Sequence, residues 1–154
     1  MKILVLRTDK PEAELYIYDG DKKLAELKWQ AHLKLAETLN PKIEELFNML
    51  APPQNPSGAV GNRIAEHRDF GTGLSISAKD LQGIVCYKGP GSFTGLRIGL
   101  SLANSMAYAY DIPVVATVGE DWIKQGINKL AAGQNDKIAL PEYGRPATTT
   151  RPKK

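Results

Sequence analysis

A glycine-rich turn between an apolar strand and an apolar helix is the part of this chain best suited to chemistry. It reads Lys88-Gly89-Pro90-Gly91-Ser92-Phe93-Thr94-Gly95-Leu96-Arg97-Ile98-Gly99. Such a turn points backbone amides and the positive end of the helix dipole at an anion. It lacks both the Lys-Ser/Thr of a Walker A loop and the G-x-G-x-x-G spacing of dinucleotide folds. Spacing alone leaves open a purely structural turn and a phosphate-binding turn. The candidate anion-binding residues are Gly89, Pro90, Gly91, Ser92, Phe93, Thr94, Gly95 and Arg97.

No catalytic or metal-binding set accompanies this turn, and we predict neither a metal nor a cofactor. His32 and His67, the two histidines, have no cysteine or carboxylate at ligand spacing, so surface roles are predicted for both. Ser92 lacks the G-x-S-x-G elbow of a serine nucleophile. Cys86, the single cysteine, lies in a predicted strand, which favours a buried thiol over a nucleophile.

The elements around the turn follow from hydrophobic periodicity and turn residues. Strands are predicted over residues 2–6, 14–18, 22–29 and 83–87, with a fifth that runs through Thr117. Helices are predicted over 31–50 with a break at Pro41, from Ser92 or Thr94 to 110, and over 120–132. Trp29 and Trp122 are predicted to be core or partner anchors.

The second predicted helix is apolar on every side, which indicates burial on more than one side. Gly95, Gly99, Ala103 and Ala107 recur every fourth residue and would let another backbone approach closely. Two occupants of that stripe stay open, the first helix of the same chain and a second protein. A bulky residue at Gly99 distinguishes them, because only intrachain packing would make it unfold the monomer.

The segment GPGSFTGLRIG resembles the signature of the TsaB (YeaZ) family, as do the small-residue helix and the run Ile112-Pro113-Val114-Val115 that follow it. The resemblance implies an α/β fold, a single actin-like (ASKHA, ribonuclease-H-like) lobe with a mixed five-stranded sheet in the order β-β-β-α-β-α-β-α. It also implies a non-catalytic subunit that docks on a TsaD-like catalytic subunit and supports threonylcarbamoyladenosine (t6A) formation in tRNA.

The partners implied by the resemblance are a TsaD-like subunit in a heterodimer or a second copy in a homodimer. A TsaE-like ATPase is left open, and tRNA contact would be indirect at most. Contact would run through the first two helices. The candidate interface residues are Leu35, Leu39, Ile43, Leu46, Gly95, Leu96, Gly99, Leu102, Ala103 and Met106.

The chain departs from the family pattern in two places. Family members have two lobes, whereas here residues 1–133 would form the N-terminal lobe, with a long loop at 52–75, and residues 134–154 a tail. That tail contains Ala139-Leu140-Pro141-Glu142-Tyr143, which resembles the family's C-terminal ending. The first strand also exits through Arg7-Thr8-Asp9, where the family commonly has Asp-Thr-Ser/Ala. Arg7 then replaces a carboxylate that a metal-nucleotide would use, so we expect no independent ATP site.

Composition bounds the remaining choices. With 154 residues, of which 42% are hydrophobic, the chain can bury one core. Its net charge of +3 is too small to indicate nucleic-acid binding by itself. The basic residues 145, 151, 153 and 154 fit a solvated end or a weak tRNA contact. The apolar start is too short for a signal peptide and no stretch could span a membrane, so we expect a cytoplasmic protein.

Overall fold

The computed structural model describes residues 1–51 and 76–143. These residues form five strands and three helices in the predicted order β-β-β-α-β-α-β-α. The strands are β1 (Lys2–Arg7), β2 (Glu12–Asp19), β3 (Lys22–Gln30), β4 (Gly83–Tyr87) and β5 (Val114–Thr117). The helices are α1 (Leu35–Asn48), α2 (Phe93–Tyr110) and α3 (Trp122–Ala131), with short 3-10 turns at His32–Lys34 and Ala78–Asp80. The predicted 52–75 loop, His67 and the basic end of the tail lie outside the described residues.

The five strands form one mixed sheet in the order β3-β2-β1-β4-β5. The first three strands are antiparallel neighbours, and β4 and β5 add in parallel to β1. β1 lies at the centre, and its residues Ile3, Leu4 and Val5 are completely buried. This burial on both faces explains why β1 and β4 are continuous apolar runs instead of alternating ones.

The helices cover both faces of the sheet. α1 packs on β2 and β3 and also contacts α2, which packs on β1, β4 and β5. α3 packs on β4 and β5 from the opposite face, where Gly126 lies against Val85 and Trp122 meets Tyr87 edge to face at 5.6 Å. Trp122 is therefore a core residue, as one of the two predictions had it.

Helix α1 differs from its prediction at the start and at the proline. Residues 32–34 form a 3-10 turn, and the α-helix begins only at Leu35. It continues through Pro41 without interruption. Proline has no N–H to donate to the Glu37 carbonyl, but both residues lie on the exposed side, where water can satisfy that carbonyl.

After α3 the chain does not leave the sheet. Residues 134–143 return along the free edge of β5 and then along α2 to the glycine-rich turn. We call residues Asn135–Tyr143 the strap. The division into a lobe at 1–133 and a tail at 134–154 remains a prediction.

The contact between α3 and β4 depends on the absence of a side chain at Gly126. A methyl group there would lie 2.2 Å from Val85 Cγ1, and Val85 is fully buried in a central strand. We expect Gly126→Ala to lower the free energy of unfolding by about 1–3 kcal/mol, because this overpacking exceeds the helix-propensity gain of alanine. Urea denaturation of the variant and the wild type measures this difference in the free energy of unfolding.

Val85→Ala provides the matched test, because it removes the atoms that the new methyl group would meet. The double variant should lose less stability than the two single variants added together. A gain of stability in Gly126→Ala would show that α3 does not pack this closely on β4.

Candidate functional site

The glycine-rich turn, hereafter the signature turn (residues 88–95), joins β4 to the N-terminus of α2. Ser92 is the N-cap of α2, and its side-chain Oγ accepts a hydrogen bond from the Gly95 amide at 3.2 Å. The helix start and its serine cap agree with the prediction. The Gly89–Pro90 peptide bond is cis, and the Lys88 amide donates to the Thr117 carbonyl at 3.0 Å. The bond from Lys88 attaches the start of the turn to the end of β5.

The inner side of the turn is occupied by Asp9, from the loop after β1. The Ser92 amide donates to the Asp9 carbonyl at 3.1 Å. A Cβ at Gly91 would lie 2.4 Å from Asp9 Cβ and 2.6 Å from its Oδ2, so glycine is required there by the carboxylate. Asp9 is 7% exposed. A phosphate that entered this turn would meet a buried carboxylate of the same sign of charge.

The Asp9 carboxylate is paired with Arg7. Arg7 Nε donates to Asp9 Oδ1 at 2.7 Å and Nη2 to Oδ2 at 3.3 Å. The guanidinium also lies 3.8 Å from the centroid of the Tyr87 ring. Although burial lowers the pKa of Arg7, the hydrogen bond and charge of Asp9 outweigh it and hold that pKa above its usual value. These residues do not fit a metal-nucleotide, since a fixed cation stands at the exit of β1 and neutralises the Asp9 carboxylate.

The same loop explains the two glycines of α2. A Cβ at Gly95 would lie 2.1 Å from the Thr8 carbonyl oxygen, and a Cβ at Gly99 would lie 2.0 Å from Thr8 Oγ1. Thr8 Oγ1 in turn donates to the Gly95 carbonyl at 2.7 Å. Thr8 therefore lies against both glycines, with its backbone at Gly95 and its side chain at Gly99, and it is neither of the two occupants that the sequence left open.

The candidate interface residues divide into two groups by burial. Eight lie in the core of this chain, with the α1 residues facing the sheet. They are Leu35, Leu39, Ile43, Leu46, Gly95, Leu96, Gly99 and Ala103. Only Leu102 and Met106 are partly exposed. A direct contact with a partner would have to use that second group, and the interface itself stays a prediction.

Ile98 belongs with Leu102 and Met106, although sequence reasoning did not include it in the interface. It is partly exposed and lies one turn before Leu102 on the same side of α2. We call Ile98, Leu102 and Met106 the apolar stripe. A cleft of about 390 Å³ opens beside its N-terminal end, lined in part by the exposed Leu33 and by Leu35. The four-residue spacing from Ile98 to Leu102 is the sequence signal that could have placed Ile98 with the other two residues.

The other residues considered from the sequence are Cys86, His32 and Trp29. Burial raises the pKa of the Cys86 thiol to about 12, which makes it a poor nucleophile. His32 is exposed at the 3-10 turn before α1. Trp29 Nε1 donates to Thr38 Oγ1 at 3.0 Å. Among residues 1–51 and 76–143, no three His, Cys, Asp or Glu side chains come together as a metal site. In the same ranges no helix combines the length and apolarity needed to cross a bilayer.

The Thr8 contact yields a stability prediction for Gly99→Ala. The new methyl group would overlap Thr8 Oγ1, so we expect the free energy of unfolding of the monomer to fall by about 1–3 kcal/mol. Thermal unfolding with light scattering measures this. Ser105→Ala, an exposed change on the same helix, is the control, with an effect within about 0.5 kcal/mol.

Thr8→Ala removes the overlapping oxygen, so the Thr8→Ala, Gly99→Ala double variant should be more stable than additivity implies. Unchanged stability in a monomeric Gly99→Ala protein would refute the close approach of Thr8.

Known proteins resemble this chain in the region of the signature turn. The family model "TsaD: tRNA N6-adenosine threonylcarbamoyltransferase" matches residues 72–118, which include β4, the signature turn, α2 and β5. The chain is 51% identical over 41 residues to the tRNA threonylcarbamoyladenosine biosynthesis protein TsaB of Bacillus subtilis, 27% of this chain and 18% of that protein. It is 31% identical over 87 residues to TsaB of Escherichia coli, 51% of this chain and 38% of that protein.

The solved structure of YeaZ from Pseudomonas aeruginosa superimposes on this chain with a TM-score of 0.54 at 18% identity. The superposition covers 81% of this chain and 50% of that one, so the chain matches about half the length of YeaZ and less of the TsaB relatives. The shared fold confirms the prediction of a single actin-like lobe with a mixed five-stranded sheet. By its signature turn, its sheet order and its TsaB relatives, this chain is similar to the TsaB (YeaZ) family over the part of those proteins that it matches.

Proposed function

We propose that this chain is a non-catalytic subunit of the machinery that makes t6A in tRNA, and that it docks on a TsaD-like catalytic subunit. The TsaB-named relatives are tRNA threonylcarbamoyladenosine biosynthesis proteins, and the match to the TsaD family model supports a TsaD-related complex. The docking itself and the non-catalytic role are the new claims. A homodimer would compete for the same surface, and a TsaE-like ATPase and tRNA would act through the TsaD-like subunit in the cytoplasm.

The observation that carries the proposal is the outer surface of α2. From Ile98 to the end of the helix at Tyr110 there is no charged residue, although Ser101 and Ser105 are exposed and the apolar stripe is partly exposed. A helix face in contact with water alone normally bears charges, whereas the centre of a protein interface is depleted of them. The cleft beside Leu33 continues from Ile98 towards α1, and its lining also includes the charged residues Asp9 and Lys10.

The non-catalytic part of the proposal is supported by the signature turn. Its inner side is filled by Asp9, whose charge is neutralised by Arg7. The same two contacts weigh against the alternative of a phosphate-binding protein. This chain would then contribute to t6A formation by binding and stabilising the TsaD-like subunit that performs the reaction.

Leu102→Glu tests the docking surface. A carboxylate in the apolar stripe would be buried without a partner, so we expect the dissociation constant for the TsaD-like protein of the same organism to rise about 30-fold. Isothermal titration calorimetry measures it. Ile123→Glu is the matched control, because Ile123 is also partly exposed but lies on α3, across the sheet. Equal weakening by both variants, or no binding by the wild type, would contradict the proposal.

In cells, depletion of this protein should lower the t6A content of tRNA, measured by mass spectrometry of digested nucleosides. The wild type and Ile123→Glu should restore it, whereas Leu102→Glu should not, because it removes docking and leaves the fold. An unchanged t6A content after depletion would exclude the proposed role.

A further inference from the structure

The strap makes hydrogen bonds to three separate parts of the lobe. At its start, Asn135 Oδ1 accepts from the Val114 amide at 3.2 Å, and Asp136 Oδ2 accepts from the Ala116 amide at 2.9 Å. The Asp136 amide returns a bond to the Val114 carbonyl at 2.9 Å. These contacts satisfy backbone groups at the free edge of β5, which would otherwise be open to another strand.

The middle of the strap is fixed to α2. Asn104 donates from Nδ2 to the Ala139 carbonyl at 3.0 Å and accepts from the Ala139 amide at 2.7 Å. Ala139 itself is 2% exposed, whereas its neighbours Ile138 and Leu140 are 62% and 67% exposed. The strap therefore has an inward residue held by a reciprocal amide pair and two outward residues that contribute little to its attachment.

The end of the strap closes on the signature turn. The Glu142 amide donates to the Lys88 carbonyl at 2.7 Å, and the Glu142 carbonyl oxygen lies 2.0 Å from where a Cβ at Gly89 would stand. Gly89 also has φ +122°, so both backbone conformation and space require glycine there. Gly89 leaves room for the strap at the turn in the same way that Gly91 leaves room for Asp9 on its other side.

Tyr143 completes this attachment with both its ring and its hydroxyl. Its ring centroid lies 4.2 Å from that of Phe93, the first residue of α2, and its hydroxyl accepts from Arg97 Nε at 2.8 Å. This hydrogen bond engages the only charged residue of α2. The N-terminal turn of the helix is thus held by Asp9 on one side and by Tyr143 on the other.

The strap and the apolar stripe lie on opposite flanks of α2. At 100° per residue, Asn104 and Arg97 lie roughly half a turn around the helix from Leu102 and Met106. The strap leaves the proposed docking surface free, while it holds the helix that presents that surface. Displacement of α2 towards the strap side is blocked by these contacts, as displacement towards the sheet is blocked by Thr8.

We propose that the strap is a positioning clamp that fixes the signature turn and α2, and thereby sets the geometry of the docking surface from the flank that the partner does not touch. The clamp acts within this chain and needs no ligand. Its effect on partner affinity, but not its effect on the turn, rests on the proposed function.

Hydrogen exchange of the full chain, measured on Asn104→Ala, Tyr143→Ala together, tests the clamp. We expect the amides of Ser92 and Leu96 to exchange roughly tenfold faster than in the wild type, with the β1 amides unchanged, because the lost contacts let the turn open locally. Leu140→Ala is the control on the same strap and should exchange like the wild type. Loss of protection at Ala139 and Glu142, without faster exchange at Ser92 and Leu96, would overturn the proposal.

If the double variant does not fold, Tyr143→Phe decides instead. It keeps the ring against Phe93 and removes only the bond from Arg97, so roughly threefold faster exchange at Ser92 is expected. Wild-type exchange at Ser92 would overturn the clamp. Where the double variant folds, its affinity for the TsaD-like protein is compared with that of the wild type, and the clamp predicts roughly tenfold weaker binding. Absence of wild-type binding would refute the proposed function alone, since the exchange result stands without a partner.

Discussion

The close approach of Thr8 to α2 is the contact on which the rest of the lobe depends. It joins the exit of the central strand to the longest helix over a distance that admits no side chain at Gly95 or Gly99. The Thr8 hydroxyl also fixes the helix by its bond to the Gly95 carbonyl. Because interiors are close-packed, a helix seated this tightly determines where its neighbours can lie. The signature turn, α1 and the strap all contact this helix.

Helix α2 is apolar and contacts other parts of the chain on several sides. One side packs on the sheet, one flank bears the strap through Asn104, and the other flank contacts α1 and contains the apolar stripe. An amphipathic helix could not do this, because charged residues would have to be buried on at least one of these sides. Its single charge, Arg97, lies where Tyr143 can accept its hydrogen bond.

At the exit of β1, two opposite charges are paired within the chain. Arg7 and Asp9 neutralise each other at the edge of the sheet where β1 and β4 end, and Tyr87 stacks on the guanidinium. Because Asp9 also fills the signature turn, the backbone that could cradle an anion already holds a carboxylate. The signature turn is then an architectural element that connects β4 to α2, and it is compatible with a role in protein contact.

The sequence by itself determined the element order, the serine cap of α2 and the resemblance carried by the signature turn, because these depend on neighbours along the chain. It also indicated that α2 is covered on several sides. It could not assign what covers each side, since Thr8 and Gly99 are far apart in sequence and share no local pattern. Only the tertiary structure showed that Thr8 lies against Gly95 and Gly99, that the α1 leucines face the core, and that Tyr143 returns to the turn. Each of these is a long-range contact, fixed by the packing of the whole sheet and not by any single segment.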